Sequence, residues 1–275
     1  LTIDANARLD MGTNTLTITG TTSTINGFLR SAGTITGASS TTLTFSATGT
    51  YEHNYTTTAG TIPTANWNAG STCLIMGYTT GAFNFSSALS QSFSHFRWNC
   101  PNQSQNINLS GLLTTVNGNL SIENTGTGAC RLTGNTALTF TLGGNLAISG
   151  GTLDLNSGSS TPIINISGDI NVSGTGSLQS TGTGLAQINF IKSGGLSQTI
   201  TSTANGINTN QITWNVGDGA TTNTLILNSN INVGSSSGFN ILSNAKLNLQ
   251  QFVLSGSLVN FIANSGSTII TSHVQ

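Results

Sequence analysis

Apolar residues return along the chain two apart, with one small, mostly polar residue between them. Examples are Leu16-Thr17-Ile18, Leu120-Ser121-Ile122, Leu146-Ala147-Ile148, Ile170-Asn171-Val172 and Leu247-Asn248-Leu249. A period of two is the signature of a strand with one buried face. Gly, Asn and Ser cluster between these alternations and mark turns. No stretch carries the 3.6-residue period of an amphipathic helix, so the pattern predicts an all-β chain.

The distance between similar alternations narrows the fold. Gly118-Asn119-Leu120-Ser121-Ile122 aligns with Gly144-Asn145-Leu146-Ala147-Ile148 at a shift of 26, and with Gly168-Asp169-Ile170-Asn171-Val172 after a further 24. Gly151-Thr152-Leu153-Asp154 matches Gly176-Ser177-Leu178-Gln179 at 25, and Ala7-Arg8-Leu9 matches Gly33-Thr34-Ile35 at 26. Periods in this range belong to solenoids and propellers. A propeller blade needs roughly 40 residues, whereas three short strands and their turns fill about 25. The chain therefore reads as one parallel β-helix domain, 1–275, of about eleven coils stacked about 4.8 Å apart. Residues 106–180 are its most regular part. In-register stacking places Asn119, Asn145 and Asp169 above one another at a turn. There the side-chain amides are expected to bond along the axis, with Asp169 accepting from Asn145.

Composition adds exclusions. Six Lys/Arg face seven Asp/Glu, and only 5% of residues are charged. Such a surface lacks the basic footprint for nucleic acid and the polybasic patch for an anionic membrane. About half the residues are Gly, Ser, Thr or Asn, but the 36% hydrophobic fraction is spread regularly from end to end, which argues for a folded chain. No run reaches the roughly 18 apolar residues of a membrane span, so no membrane insertion is expected. The absence of an initial Met and of a basic-plus-apolar leader suggests a processed protein or a piece of a longer one.

Residues 51–105 break the pattern. They hold Tyr51, Tyr55 and Tyr78, Trp67 and Trp98, His53 and His95, Cys73 and Cys100, and Pro63 and Pro101, with Glu52 and Arg97 as their other charges. Interruptions of a regular scaffold are where function concentrates, so Trp67, Tyr78, His95, Arg97 and Trp98 are the candidate ligand-binding residues. Two readings stay open. Alternation over 93–100 puts Phe96, Trp98 and Cys100 on one face and His95, Arg97 and Asn99 on the other, which favours core packing of the rings. The alternative is an aromatic carbohydrate platform, with Asn and Ser binding hydroxyls. Cys73 and Cys100 lie 27 apart, close to one coil. Free buried thiols are the first reading and a disulfide the second; Cys130 is free in both. Neither CxxC nor HxxxH occurs and His53, His95 and His273 are scattered, so no metal or other cofactor is expected.

Catalytic patterns are weak. Asp154 and Asp169 stand fifteen residues apart on a 25-residue coil, and Asp154 aligns with Gln179 rather than with a second acid. Glu52 with His53 or His95 makes a dyad only by accident of folding. The Thr-x-Thr pairs at 15–17, 17–19, 34–36 and 139–141 do not recur at every coil, as an ice-binding array requires. The chain is expected to be no enzyme.

With the repeats established, Gly60-Thr61-Ile62-Pro63-Thr64-Ala65-Asn66-Trp67-Asn68-Ala69-Gly70-Ser71-Thr72-Cys73, then Phe96-Arg97-Trp98-Asn99-Cys100-Pro101 and the Gly-Asn-Leu coils, resemble modules of very large secreted surface proteins of Bacteroidota exported by the type IX system. The resemblance is strongest over 50–190. It implies a right-handed parallel β-helix and a Gram-negative extracellular, cell-surface setting, and it carries no active site. The sorting domain of such exports is absent, which fits a segment of a longer chain. The expected role is a structural or adhesin module: a rod, stalk or fibre segment. Its expected partners are neighbouring coils or subunits stacked end to end in an oligomer or filament, or a glycan.

Overall fold

Strands with one apolar edge and polar, Gly-rich turns bury that edge by winding, because coil-on-coil pairing satisfies the backbone of every strand but those at the ends. In the computed structural model of the chain this is the outcome: strands throughout, all pairing in parallel, and no helix among the described residues. The structure describes residues 1–272 except 21, 86–87, 193, 204–205, 221, 235 and 257–260. His273, one of the three scattered histidines, lies outside the described residues.

Each regular coil carries three strands. One coil runs through Thr139–Leu142, Leu146–Ile148 and Thr152–Asp154, and the next through Ile163–Ile166, Ile170–Val172 and Ser177–Gln179. Three faces result. The second is an unbroken 12-stranded sheet, from Arg8–Asp10 to Thr268–Ile270. Twelve rungs make about eleven turns and a stack about 50 Å long at the strand spacing of a sheet. The first face consists of a 4-stranded and an 8-stranded sheet. Between them the ring of Trp67 continues the inward column onto Phe93, centroids 5.1 Å apart. The third face is the least regular, with sheets of two, four and two strands.

The core is a set of inward columns. On the second face Leu120, Leu146, Ile170 and Ile200 stack in register, as do Ile122, Ile148 and Val172. On the first face Phe93, Val116, Leu142, Ile166, Phe190, Val216 and Ile241 do the same, all fully buried. The Gly of the Gly-Asn motif is a matter of space. A Cβ on Gly168 would lie 2.2 Å from the Gly144 carbonyl oxygen, and one on Gly144 2.6 Å from the Gly118 carbonyl carbon.

The Asn119, Asn145 and Asp169 stack exists, but its bonds differ from the expected amide-to-amide chain. Asn119 Oδ1 accepts from the Asn145 backbone N–H (2.9 Å), and Asn145 Oδ1 accepts from the Asp169 N–H (2.8 Å). Asp169 therefore donates to Asn145 through its backbone, and its own Oδ1 accepts from the Thr199 N–H. A strand-edge N–H is an obligatory donor, and these short side chains at a turn reach it more readily than they reach each other. A true amide ladder occurs elsewhere, on the outside of the first face. Asn189 Nδ2 donates to Asn165 Oδ1, Asn215 to Asn189 and Asn240 to Asn215, at 2.7–2.8 Å.

Candidate functional site

The irregular coils arise where the third-face strand is lost. Residues 54–65 form no strand, and the excursion over 77–91 joins the ladder, among its described residues, through the bridge of Asn84 to Asn108. Rings fill the space so opened. His53, Tyr55, Tyr78, Phe83 and Phe85 pack as one cluster, joined to Trp98 through Tyr78.

Burial decides between the two readings of the aromatics. Trp67 is 7%, Tyr78 1% and Trp98 0% exposed. Trp67 is stacked on Phe45 at 4.4 Å, and its Nε1–H donates to Gln91 Oε1. The Tyr78 hydroxyl donates to the Ala59 carbonyl, and Trp98 Nε1–H donates to Gln103 Oε1. With their flanks packed and their polar tips used internally, these three rings offer no face to a sugar. The platform reading of Trp67, Tyr78 and Trp98 is corrected accordingly: they are core.

His95 and Arg97 point outward as alternation requires. His95 Nδ1 accepts from the Asn119 N–H at 2.9 Å, which makes it the first member of the Asn119–Asn145–Asp169 chain. Arg97 holds Glu123 through two bonds of 2.6 and 3.1 Å. Of the five candidates, only Trp67 and His95 share a surface feature, a depression of about 250 Å³ floored by Gly70 and Gly118. Tyr78 and Trp98 meet inside the core, and Arg97, two residues beyond His95 on the outer side of the same strand, does not line the depression.

The remaining chemical groups are also engaged. Cys73, Cys100 and Cys130 are free and buried. Cys73 is the register partner of Phe96, not of Cys100, because the local step is 23 residues. Burial raises all three thiols, Cys100 to about 12, so none is a poised nucleophile. Glu52 is buried between Arg8 (2.8 Å) and Arg30 (2.7 Å) on the outer side of the second face, while its neighbour His53 faces inward. His53 sits between the Tyr51 hydroxyl and the Ala59 carbonyl, and desolvation lowers its pKa to about 4. The Glu52–His53 dyad is thus not formed. Asp154 is buried against Arg131 and Thr181, across from Gln179, and Asp169 belongs to the side-chain chain described above. All four arginines stand in ion pairs. No group of three or more His, Cys, Asp or Glu is placed to hold a metal among the described residues.

A larger concavity than the one at Trp67 and His95 lies far from 51–105. It is a groove of about 550 Å³ at 202–255, lined mostly by Asn, Ser and Thr with Ile207 and Ile231. Its sequence signal was the density of Asn at 208, 210, 228, 230 and 232, which looks like ordinary turn composition. Neither a family model, nor a curated protein, nor a solved structure matches the chain.

Proposed function

We propose that this chain is a non-catalytic rod module of an extracellular surface protein, serving as a stalk, fibre segment or adhesin repeat. The unbroken twelve-stranded sheet carries this reading, because it gives one continuous hydrogen-bonded element along the whole axis. Two observations support it. The rings of 51–105 that a sugar platform there would need are packed in the core, and the arginines that an acidic polymer would need are neutralised by Glu52, Asp10, Glu123 and Asp154. An almost uncharged polar surface also keeps such a rod insensitive to ionic strength.

The cell-surface setting rests on the resemblance to secreted Bacteroidota modules. In the proposed assembly the apolar side chains of the 261–270 rung, with Ile262, Ile269 and Ile270 each 41–52% exposed, are covered by a neighbouring coil or subunit stacked end to end. Antibodies raised against the purified chain test the reading on intact cells of the source organism. Labelling of surface fibres without permeabilisation is the expected result. Labelling that requires permeabilisation overturns it.

A further inference from the structure

The third-face ladder is broken once in the C-terminal half. After Ser177–Gln179 the next rung contributes, among the described residues, the single bridge of Ile207 to Leu178, while Ile231–Val233 pairs onward with Leu254–Gly256. Across the break, hydroxyl groups replace the backbone ladder. Thr209 Oγ1 donates to the Asn232 carbonyl and accepts from the Gly234 N–H, and Ser237 Oγ donates to the Thr209 carbonyl. The 550 Å³ groove opens along this line, within the range of roughly 300–1,000 Å³ typical of ligand sites. A second depression of about 330 Å³ shares Ser202, Thr203 and Asn230 with it and ends on the half-buried ring of Phe252.

Two asparagines in the groove are held at one end. Asn208 Oδ1 accepts from the Asn210 N–H (3.1 Å), and Asn230 Oδ1 accepts from the Val253 N–H (2.9 Å). Fixing the oxygen fixes the opposite Nδ2, and neither Nδ2 has a partner among the described residues. The groove thus presents oriented amide donors and hydroxyls beside Ile207 and Ile231, the adjoining depression adds the Phe252 ring, and neither has an ionisable side chain among the described lining residues. A carboxylate or phosphate desolvated here would meet no cation, which disfavours an anionic ligand. A ligand dense in neutral hydroxyls matches the amides and hydroxyls of the groove, and its apolar ring faces match Ile207, Ile231 and, in the adjoining depression, Phe252.

We infer that the 202–255 groove binds a short uncharged oligosaccharide. The inference is independent of the rod reading, since a stalk with or without a sugar site labels the cell surface alike. Isothermal titration of the full chain with cellohexaose, maltohexaose, mannohexaose and xylohexaose, and with trigalacturonate as the charged counterpart, tests it. At least one neutral hexamer binds with Kd below about 1 mM, and trigalacturonate binds more weakly than that hexamer. The N208D/N230D pair keeps both anchoring oxygens and removes both donors, so it weakens binding at least about tenfold, while Trp67→Phe leaves affinity unchanged. If the pair does not fold, as judged by circular dichroism, Phe252→Ala carries the same expectation. Absence of binding by all four neutral hexamers, tighter binding of trigalacturonate, or wild-type affinity in the folded variant overturns the inference.

Discussion

The coils over 43–100 and those over 115–179 share one sheet, in register up to a shift after Trp98 at their junction, yet fill the same two inward columns differently. In the first set the second-face columns read Tyr51, Cys73, Phe96 and His53, Ile75, Trp98. In the second they read Leu120, Leu146, Ile170 and Ile122, Ile148, Val172. The difference follows the third face. Where its strand is present, the second-face columns are aliphatic; where an excursion replaces it, rings stand in them and pack against the rings of the excursion. The excursion also supplies the acceptors that buried polar tips require, such as the Ala59 carbonyl for His53 and Tyr78. A solenoid can therefore change what fills its interior while its second-face strands stay paired in one sheet.

The sharpest way to break this comparison is to empty both interiors at register partners. Trp98→Ala removes a fully buried ring and strands Gln103, and it is expected to cost about 3–5 kcal/mol in urea denaturation, while Ile122→Val at the adjoining rung costs about 1 kcal/mol. A Trp98→Ala cost near 1 kcal/mol would mean that the aromatic coils are loosely packed. The next largest effect is a pH dependence confined to the aromatic coils. His53 has a folded pKa of about 4, below its unfolded value of about 6.5, so the unfolded chain binds the proton first. Stability is expected to fall as pH drops from about 6.5 to about 4, by up to about 3 kcal/mol, and to level off below. Asp154, raised by burial, acts with the opposite sign, so the difference between wild type and His53→Asn in melts across that range isolates the histidine.

A smaller effect is expected at the outer side of the same coils. Glu52→Gln leaves Arg8 and Arg30 facing a neutral amide and costs about 2 kcal/mol, less than a fully buried pair because both arginines reach solvent. Chemical denaturation at neutral pH measures it. The smallest is Asn189→Ala on the first face of the C-terminal coils, which removes one bond to Asn165 and one from Asn215 and costs about 1 kcal/mol by thermal melting. A cost above that of Glu52→Gln would show that the amide ladder acts cooperatively.

Much of this was legible in the sequence because stacking is periodic. Shifts of 24 to 26 residues located the Asn119, Asn145 and Asp169 stack, and alternation over 93–100 correctly placed Trp98 inside and Arg97 outside. The same shifts link Asn165, Asn189, Asn215 and Asn240, each flanked by apolar residues, so the amide ladder too is present in the pattern. Direction of bonding was not legible, because an Asn oxygen can accept from a side chain or a backbone with the same spacing. The coil step around Cys73 was hidden by the excursions, whose length varies independently of the strands they connect. Ion-pair partners such as Arg8 with Glu52 lie two coils apart, beyond a nearest-neighbour repeat. The Asn-lined groove was hidden because a broken ladder and an ordinary turn draw on the same residues.

In the chain from His95 through Asn119 and Asn145 to Asp169, every side chain serves the peptide group of the following coil, and its own peptide N–H is served by the coil before, from Asn119 onward. Excising one complete coil from this stretch leaves an acceptor at the height of the next waiting donor. Adding one does the same. Length is thereby a countable property of the molecule: about 25 residues of gene change its reach by about 4.8 Å and leave the three faces where they were. An insertion of half a coil has no such neutrality, since it rotates every later face away from its column.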